Sequence, residues 1–210
     1  MVVRAPFALS SPSGELHGIE VAAAEPVAIV LLVHDLGLDL DEFADLPEHL
    51  ARAGFTAIAV DLPGHGLSDG DETAPDVCAA AVQAVLDHLL ERGLPVGLVA
   101  SGQTATVGMV IGLDQGLPAQ VLLCPVLNDA IAATGEREYA MRMVVHGEGP
   151  SLVGTATQRF FSPLIGEKLL VFNPAMQEGS AALLHAGALL AHVLLFFQRY
   201  LAPEPRSSPS

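Results

Sequence analysis

Positive charge is scarce in this 210-residue chain: Lys and Arg together number 9 against 24 Asp and Glu, a formal net charge of −15. Lys168 is the sole lysine. Such a balance repels polyphosphate and argues against nucleic acid and against anionic membrane surfaces. Tryptophan is absent and aromatic residues make up 5% of the chain. The two cysteines, Cys78 and Cys124, are too few for a disulfide framework. They are read as reduced, buried thiols of a cytoplasmic protein. The first residues, Met1 to Pro6, lack the apolar stretch of a secretory leader. Long apolar runs are missing as well. The longest, Ala181–Phe197, is punctured by His185, Gly187 and His192 and falls short of the roughly 20 residues a spanning helix needs, so a buried helix is expected there and no membrane. No ligand spacing for a metal and no phosphate-cradling or dinucleotide-binding loop is visible, so neither metal nor cofactor is expected.

What is present is an alternation of short apolar runs with helical patterns. Phe7–Ser10 and Leu16–Ala22 flank the turn signal Ser11-Pro12-Ser13-Gly14 and read as a hairpin. Continuous apolar runs at Val27–Val33, Phe55–Val60, Val96–Ala100 and Gln120–Cys124 suit strands covered on both faces. Met141–His146 and Lys168–Phe172 complete the set. Helices are expected at Asp41–Ala53, Ala74–Arg92, Thr104–Gln115, around Leu152–Ser162 and at Ser180–Leu201. Parallel strands joined by crossover helices predict a three-layer α/β/α sandwich, with a mostly parallel eight-stranded sheet and an N-terminal antiparallel hairpin. Residues 1–201 then form one domain, followed by a disordered Pro- and Ser-rich tail, 202–210. Functional loops should lie at the carboxyl ends of the strands.

Three of those loops carry motifs. They read Leu31-Leu32-Val33-His34-Asp35-Leu36-Gly37, Asp61-Leu62-Pro63-Gly64-His65-Gly66-Leu67-Ser68-Asp69, and Val96 to Thr104. The first two resemble the "H-G-x-G" and "D-x-P-G-H-G-x-S" loops of the α/β-hydrolase superfamily, in particular its small, lidless dienelactone-hydrolase and esterase members. The resemblance covers roughly residues 7 to 201. It implies the predicted sheet, a nucleophile after the fifth strand in a small-x-nucleophile-x-small turn, an acid after the seventh and a histidine after the eighth. His34 and His65 read as structural hydrogen-bonding residues of their loops.

The triad positions hold unexpected residues. Centring the turn on Gly102 leaves Ala100 and Thr104 as tolerable flanks, whereas centring it on Ser101 leaves the larger Val99 and Gln103. The nucleophile position therefore falls on Gly102, which has no side chain. The acid position falls on Pro150 and the histidine position on Glu178, or on Gln177 in a shorter loop. A carboxylate is a poor base for serine at neutral pH. The expectation is a degenerate triad: a non-catalytic, dimeric binding or scaffold protein. The alternative is a serine hydrolase of small ester or acyl substrates acting through a rewired site drawn from Ser101, Ser151, Glu148, Glu178 and His185. In the first reading Glu148 is a solvated loop charge and His185 a packed or interface residue.

The resemblance also implies oxyanion-hole donors, the backbone N–H groups of Leu36 and Gln103. Asp35 stands where that loop usually has Gly, and with Asp39, Asp41 and Glu42 it should oppose an anionic ligand. Only a short connection separates Cys124 from the next strand, so no cap domain is expected and any ligand should be small and neutral. Ser180–Leu201 shows no wide polar stripe. It is expected to cover the sheet with one side and a second copy of itself with the other, giving a homodimer.

Overall fold

In the computed structural model, which describes residues 2–70, 74–126, 141–146, 168–172 and 187–202, eight strands form one sheet. They are β1 (Val3–Ser11), β2 (Gly14–Ala22), β3 (Ala28–Val33), β4 (Phe55–Val60), β5 (Val96–Ser101), β6 (Ala119–Leu123), β7 (Met141–His146) and β8 (Lys168–Phe172), in the spatial order β1-β2-β4-β3-β5-β6-β7-β8. From β4 to β8 every pairing is parallel; the hairpin β1–β2 joins antiparallel through β2 to β4. The apolar runs are explained by two-sided burial. In β3, Ile29, Leu31 and Val33 enter one core and Ala28, Val30 and Leu32 the other. All six β3 residues are buried, as are all six of β4. Each such Leu, Ile or Val contributes about 1.5–3 kcal/mol by leaving water.

Helices cover both faces, which makes the third layer. On one face lie α2 (Pro75–Leu90) and α3 (Gly102–Asp114), which bury Val82, Val85, Leu86, Ala105 and Met109 against β3, β4 and β5. On the other lie α1 (Leu46–Arg52) and α4 (Gly187–Tyr200). Gly97 of β5 has no side chain because Phe197 and Leu201 press directly onto it. That notch seats the end of α4, whose Leu189, Val193, Phe196 and Phe197 join the second core.

Several expectations need correction. The single helix read over Asp41–Ala53 is two pieces, a 3-10 turn at Leu40–Phe43 and then α1, with Ala44 between them at φ 41°. Pro47 is the reason: inside a continuous helix it would remove the hydrogen bond to Phe43 and clash there, whereas in the first turn of a new helix its missing N–H costs nothing. The helix after β5 begins at Gly102, two residues earlier than the apolar pattern suggested. Cys78 is buried but Cys124 is only half-buried. The described part of α4 also has an open face, formed by Ala191, His192, Leu195, Gln198 and Arg199, so it is not apolar all round. The expected helix at Leu152–Ser162, the beginning of Ser180–Leu201 and nearly all of the tail lie outside the described residues.

Candidate functional site

The carboxyl ends of β3, β4 and β5 bring the three motif loops together, and buried polar side chains lock them. His34, at the end of β3, donates from Nδ1 to the Asp35 carbonyl (2.8 Å) and accepts at Nε2 from the Leu62 N–H (2.9 Å). His65 donates from Nδ1 to the Pro63 carbonyl (2.9 Å) and accepts at Nε2 from the Gly37 N–H (3.0 Å). The rings meet edge to face with centroids 5.0 Å apart. Each imidazole is thus a neutral bridge between the loops after β3 and β4, and neither keeps a ring nitrogen for proton transfer. Burial holds His34 below the ordinary histidine range, opposed by its bond to the Asp35 carbonyl. This agrees with the structural role read from the sequence.

Asp61 fastens the same loops with its carboxylate, which accepts from the N–H groups of Leu40 (2.9 Å) and Leu67 (3.0 Å). Gly66, at φ 50°, is required there because a Cβ would overlap the Asp61 carboxylate. Ser68 donates to the Asp61 carbonyl (2.7 Å) and accepts from the His17 N–H (2.9 Å), tying the hairpin to the site.

The turn after β5 is the centre. Ser101 is still extended (φ −119°, ψ 148°), and Gly102 then swings to φ 55° as α3 begins. Ser101 is fully buried, and its hydroxyl donates to Glu42 Oε1 (2.8 Å). The other oxygen of Glu42 accepts the Asp35 N–H (2.8 Å). Asp35 turns its own carboxylate toward the turn. Its Oδ1 accepts from both the Leu36 N–H and the Gln103 N–H, each at 2.8 Å. A Cβ on residue 102 would overlap that carboxylate. The Thr104 hydroxyl is shared between the carbonyls of His34 (2.6 Å) and Ser101 (2.7 Å). Beyond β6, Val126 donates its N–H to the Gly102 carbonyl (3.2 Å) and accepts from the Thr106 hydroxyl.

Two backbone N–H groups from different loops, aimed at one oxygen beside the start of a helix, can stabilise negative charge. Here that charge is the protein's own. At the apex of the turn Gly102 supplies no side chain. Ser101 lies one residue short of the apex, sealed from solvent. No cluster of His, Cys, Asp or Glu among the described residues has the geometry to hold a metal ion.

A strand, a positive-φ turn and a helix at the centre of a parallel sheet, flanked by the two His-bearing loops, is an architecture with relatives. The model of the alpha/beta hydrolase family matches residues 30–209. The chain belongs to the α/β-hydrolase family. Solved structures of that fold superpose along almost its whole length. A dienelactone hydrolase from Anabaena variabilis matches with a TM-score of 0.78 at 18% identity, over 95% of this chain and 99% of that one. An α/β serine hydrolase without lid from Xanthomonas campestris gives 0.76 at 17% identity, over 96% and 97%. A monoglyceride lipase homolog of Monkeypox virus is 27% identical over 114 residues, which are 50% of this chain and 41% of that protein. This α/β-hydrolase thus spans less than half the length of that viral relative.

The site residues read from the sequence fall into two groups. Gly102, Ser101, Leu36 and Gln103 are brought together as described. Pro150, Glu178, Gln177, Glu148, Ser151 and His185 lie outside the described residues. Sequence reasoning missed what Asp35 and Glu42 do. It treated both as charges facing an incoming ligand, whereas each is satisfied by donors of the protein. The available signal was the pairing of an acidic residue at 35 with a glycine at 102.

Proposed function

We propose that this α/β-hydrolase is a non-catalytic member of its family, a binding or scaffold protein in which Gly102, Pro150 and Glu178 occupy the triad positions. One observation carries the reading: the apex of the turn after β5 has no side chain, and the nearest hydroxyl, on Ser101, is buried and donated to Glu42. Triad members act as a unit, so loss of the nucleophile alone removes most of the acceleration. In this proposal Leu36 and Gln103 are the family's oxyanion donors. The loops around them present exposed Leu38, Leu67 and Val126, which favours a small neutral ligand with an apolar part over an anion. The brevity of the connection between β6 and β7 supports the absence of a cap. A homodimer through the C-terminal helix belongs to the same proposal. Its contact would centre on Leu195, 62% exposed on the open face of α4. Light scattering that reports a monomer at micromolar concentration removes the dimer.

Family membership supports a second reading, because the similar solved structures are esterases and hydrolases. In it the chain hydrolyses small ester or acyl substrates through a rewired site, with its nucleophile among Ser101 and Ser151. A fluorophosphonate probe separates the two. The non-catalytic reading expects no labelling and no turnover of short-chain p-nitrophenyl esters above a heat-denatured control. Stoichiometric labelling that is lost in Ser101→Ala or Ser151→Ala establishes the hydrolase.

A further inference from the structure

Asp35 and any side chain on residue 102 compete for the same space. The carboxylate of Asp35 fills the volume that the first side-chain carbon of residue 102 would take. It also satisfies the two N–H groups, of Leu36 and Gln103, that converge beside that volume. The arrangement is held from behind: the Asp35 N–H is bound to Glu42, and Glu42 is bound to Ser101. Gln103 is exposed and Asp35 half-buried, so bulk protein does not seal the place off. What fills it is the carboxylate.

We propose that Asp35 is an internal ligand of this pair of N–H groups and that Gly102 is the partner that admits it, so that the two residues form one device closing the site to outside carbonyls and anions. An incoming oxyanion would have to displace a carboxylate held by two charge-assisted hydrogen bonds, and would meet like charge while doing so. A side chain at 102 would have to expel the same group, leaving Leu36 and Gln103 without an acceptor. The functional meaning rests on reading 102 as the nucleophile position, but the contact itself is tested separately.

The test is a double-mutant cycle in the full chain, combining Gly102→Ala with Asp35→Ala. Residue 102 keeps its positive φ in every variant, so the strain of placing Ala there is common to both arms. Gly102→Ala is expected to lower the thermal midpoint by roughly 4–8 °C with Asp35 present and by less than half as much without it. Acetate provides a second readout. In Asp35→Ala, millimolar acetate should shift the amide resonances of Leu36 and Gln103, while the same concentration leaves both unmoved in the wild type. If Asp35→Ala does not fold, Asp35→Gly takes its place. Equal penalties for Gly102→Ala in the two backgrounds, or an equal acetate response in wild type and variant, overturn the proposal. Ester turnover by the wild type would instead overturn the non-catalytic reading, and the cycle would still report on the contact.

Discussion

Oδ1 of Asp35 accepts the Leu36 and Gln103 N–H groups at the same distance, 2.8 Å, although the two donors belong to different loops far apart in the sequence. One oxygen thus joins the loop after β3 to the first turn of α3. Asp35→Asn keeps the shape and one acceptor oxygen but removes the charge. Neutral bonds are about half as strong as charge-assisted ones, and the interaction with the positive end of α3 is lost. Urea denaturation should show a loss of about 1–2 kcal/mol with an unchanged slope.

Glu42 is expected to matter more than an acidic loop residue ordinarily would. Its two oxygens hold the buried Ser101 hydroxyl and the Asp35 N–H. Glu42→Ala removes the acceptor for both and should cost about 2–3 kcal/mol. Glu42→Gln should cost only about 1 kcal/mol, because the Ser101 hydroxyl can turn and accept from the amide. Equal losses in the two variants would mean that these bonds do not carry the effect.

Stability should rise with pH through the histidine range, and His34 supplies the reason. Burial, its largest influence, holds the folded-state pKa below the ordinary value of 6.5. The unfolded chain therefore binds a proton that the folded chain refuses. The contribution is complete above pH ~6.5 and is lost as the pH falls from there toward the folded-state value. Thermal midpoints measured from about pH 7.5 down to about 5.5 should fall, and the slope should be shallower in His34→Asn. By proton NMR the His34 ring should stay neutral as the pH falls below the ordinary histidine value of 6.5.

Gln120 points toward a stabilising change. It lies fully buried in β6 beneath α3, and neither its amide nitrogen nor its oxygen has a hydrogen-bond partner among the described residues. Its amide nitrogen approaches Gly112, where a Cβ would crowd it. Gln120→Met keeps an unbranched side chain of similar length and removes the buried amide. An increase of about 1–3 kcal/mol in unfolding free energy is expected. A decrease would indicate that the amide is satisfied.

Continuous apolar runs made the sheet readable. Phe55–Val60 appears as a strand with the bounds its sequence suggested, because all six of its residues are buried; Met141–His146 and Lys168–Phe172 also appear with their expected bounds. Hydrophobic spacing missed the break before α1, since Phe43, Leu46 and Leu50 all reach the same core whether or not one helix connects them. The small flanks Ala100 and Thr104 centre the turn on Gly102, whose φ is 55°. Asp35 was harder to read. Its role depends on the direction of one short side chain across the gap between two strand ends, and no local periodicity encodes that. Glu42 was hidden for the same reason: its partners, Asp35 and Ser101, are far apart along the chain and meet only once β3 and β5 are paired.

The notch at Gly97 has a consequence for how the protein is made. Phe197 and Leu201 rest on a β5 residue emitted by the ribosome some hundred positions earlier. Until those last turns emerge, the nascent sheet carries an uncovered greasy trough over Val99, Val121 and Met143. A chain stopped just before α4 would therefore leave those residues uncovered and is expected to aggregate rather than act as a shortened working protein.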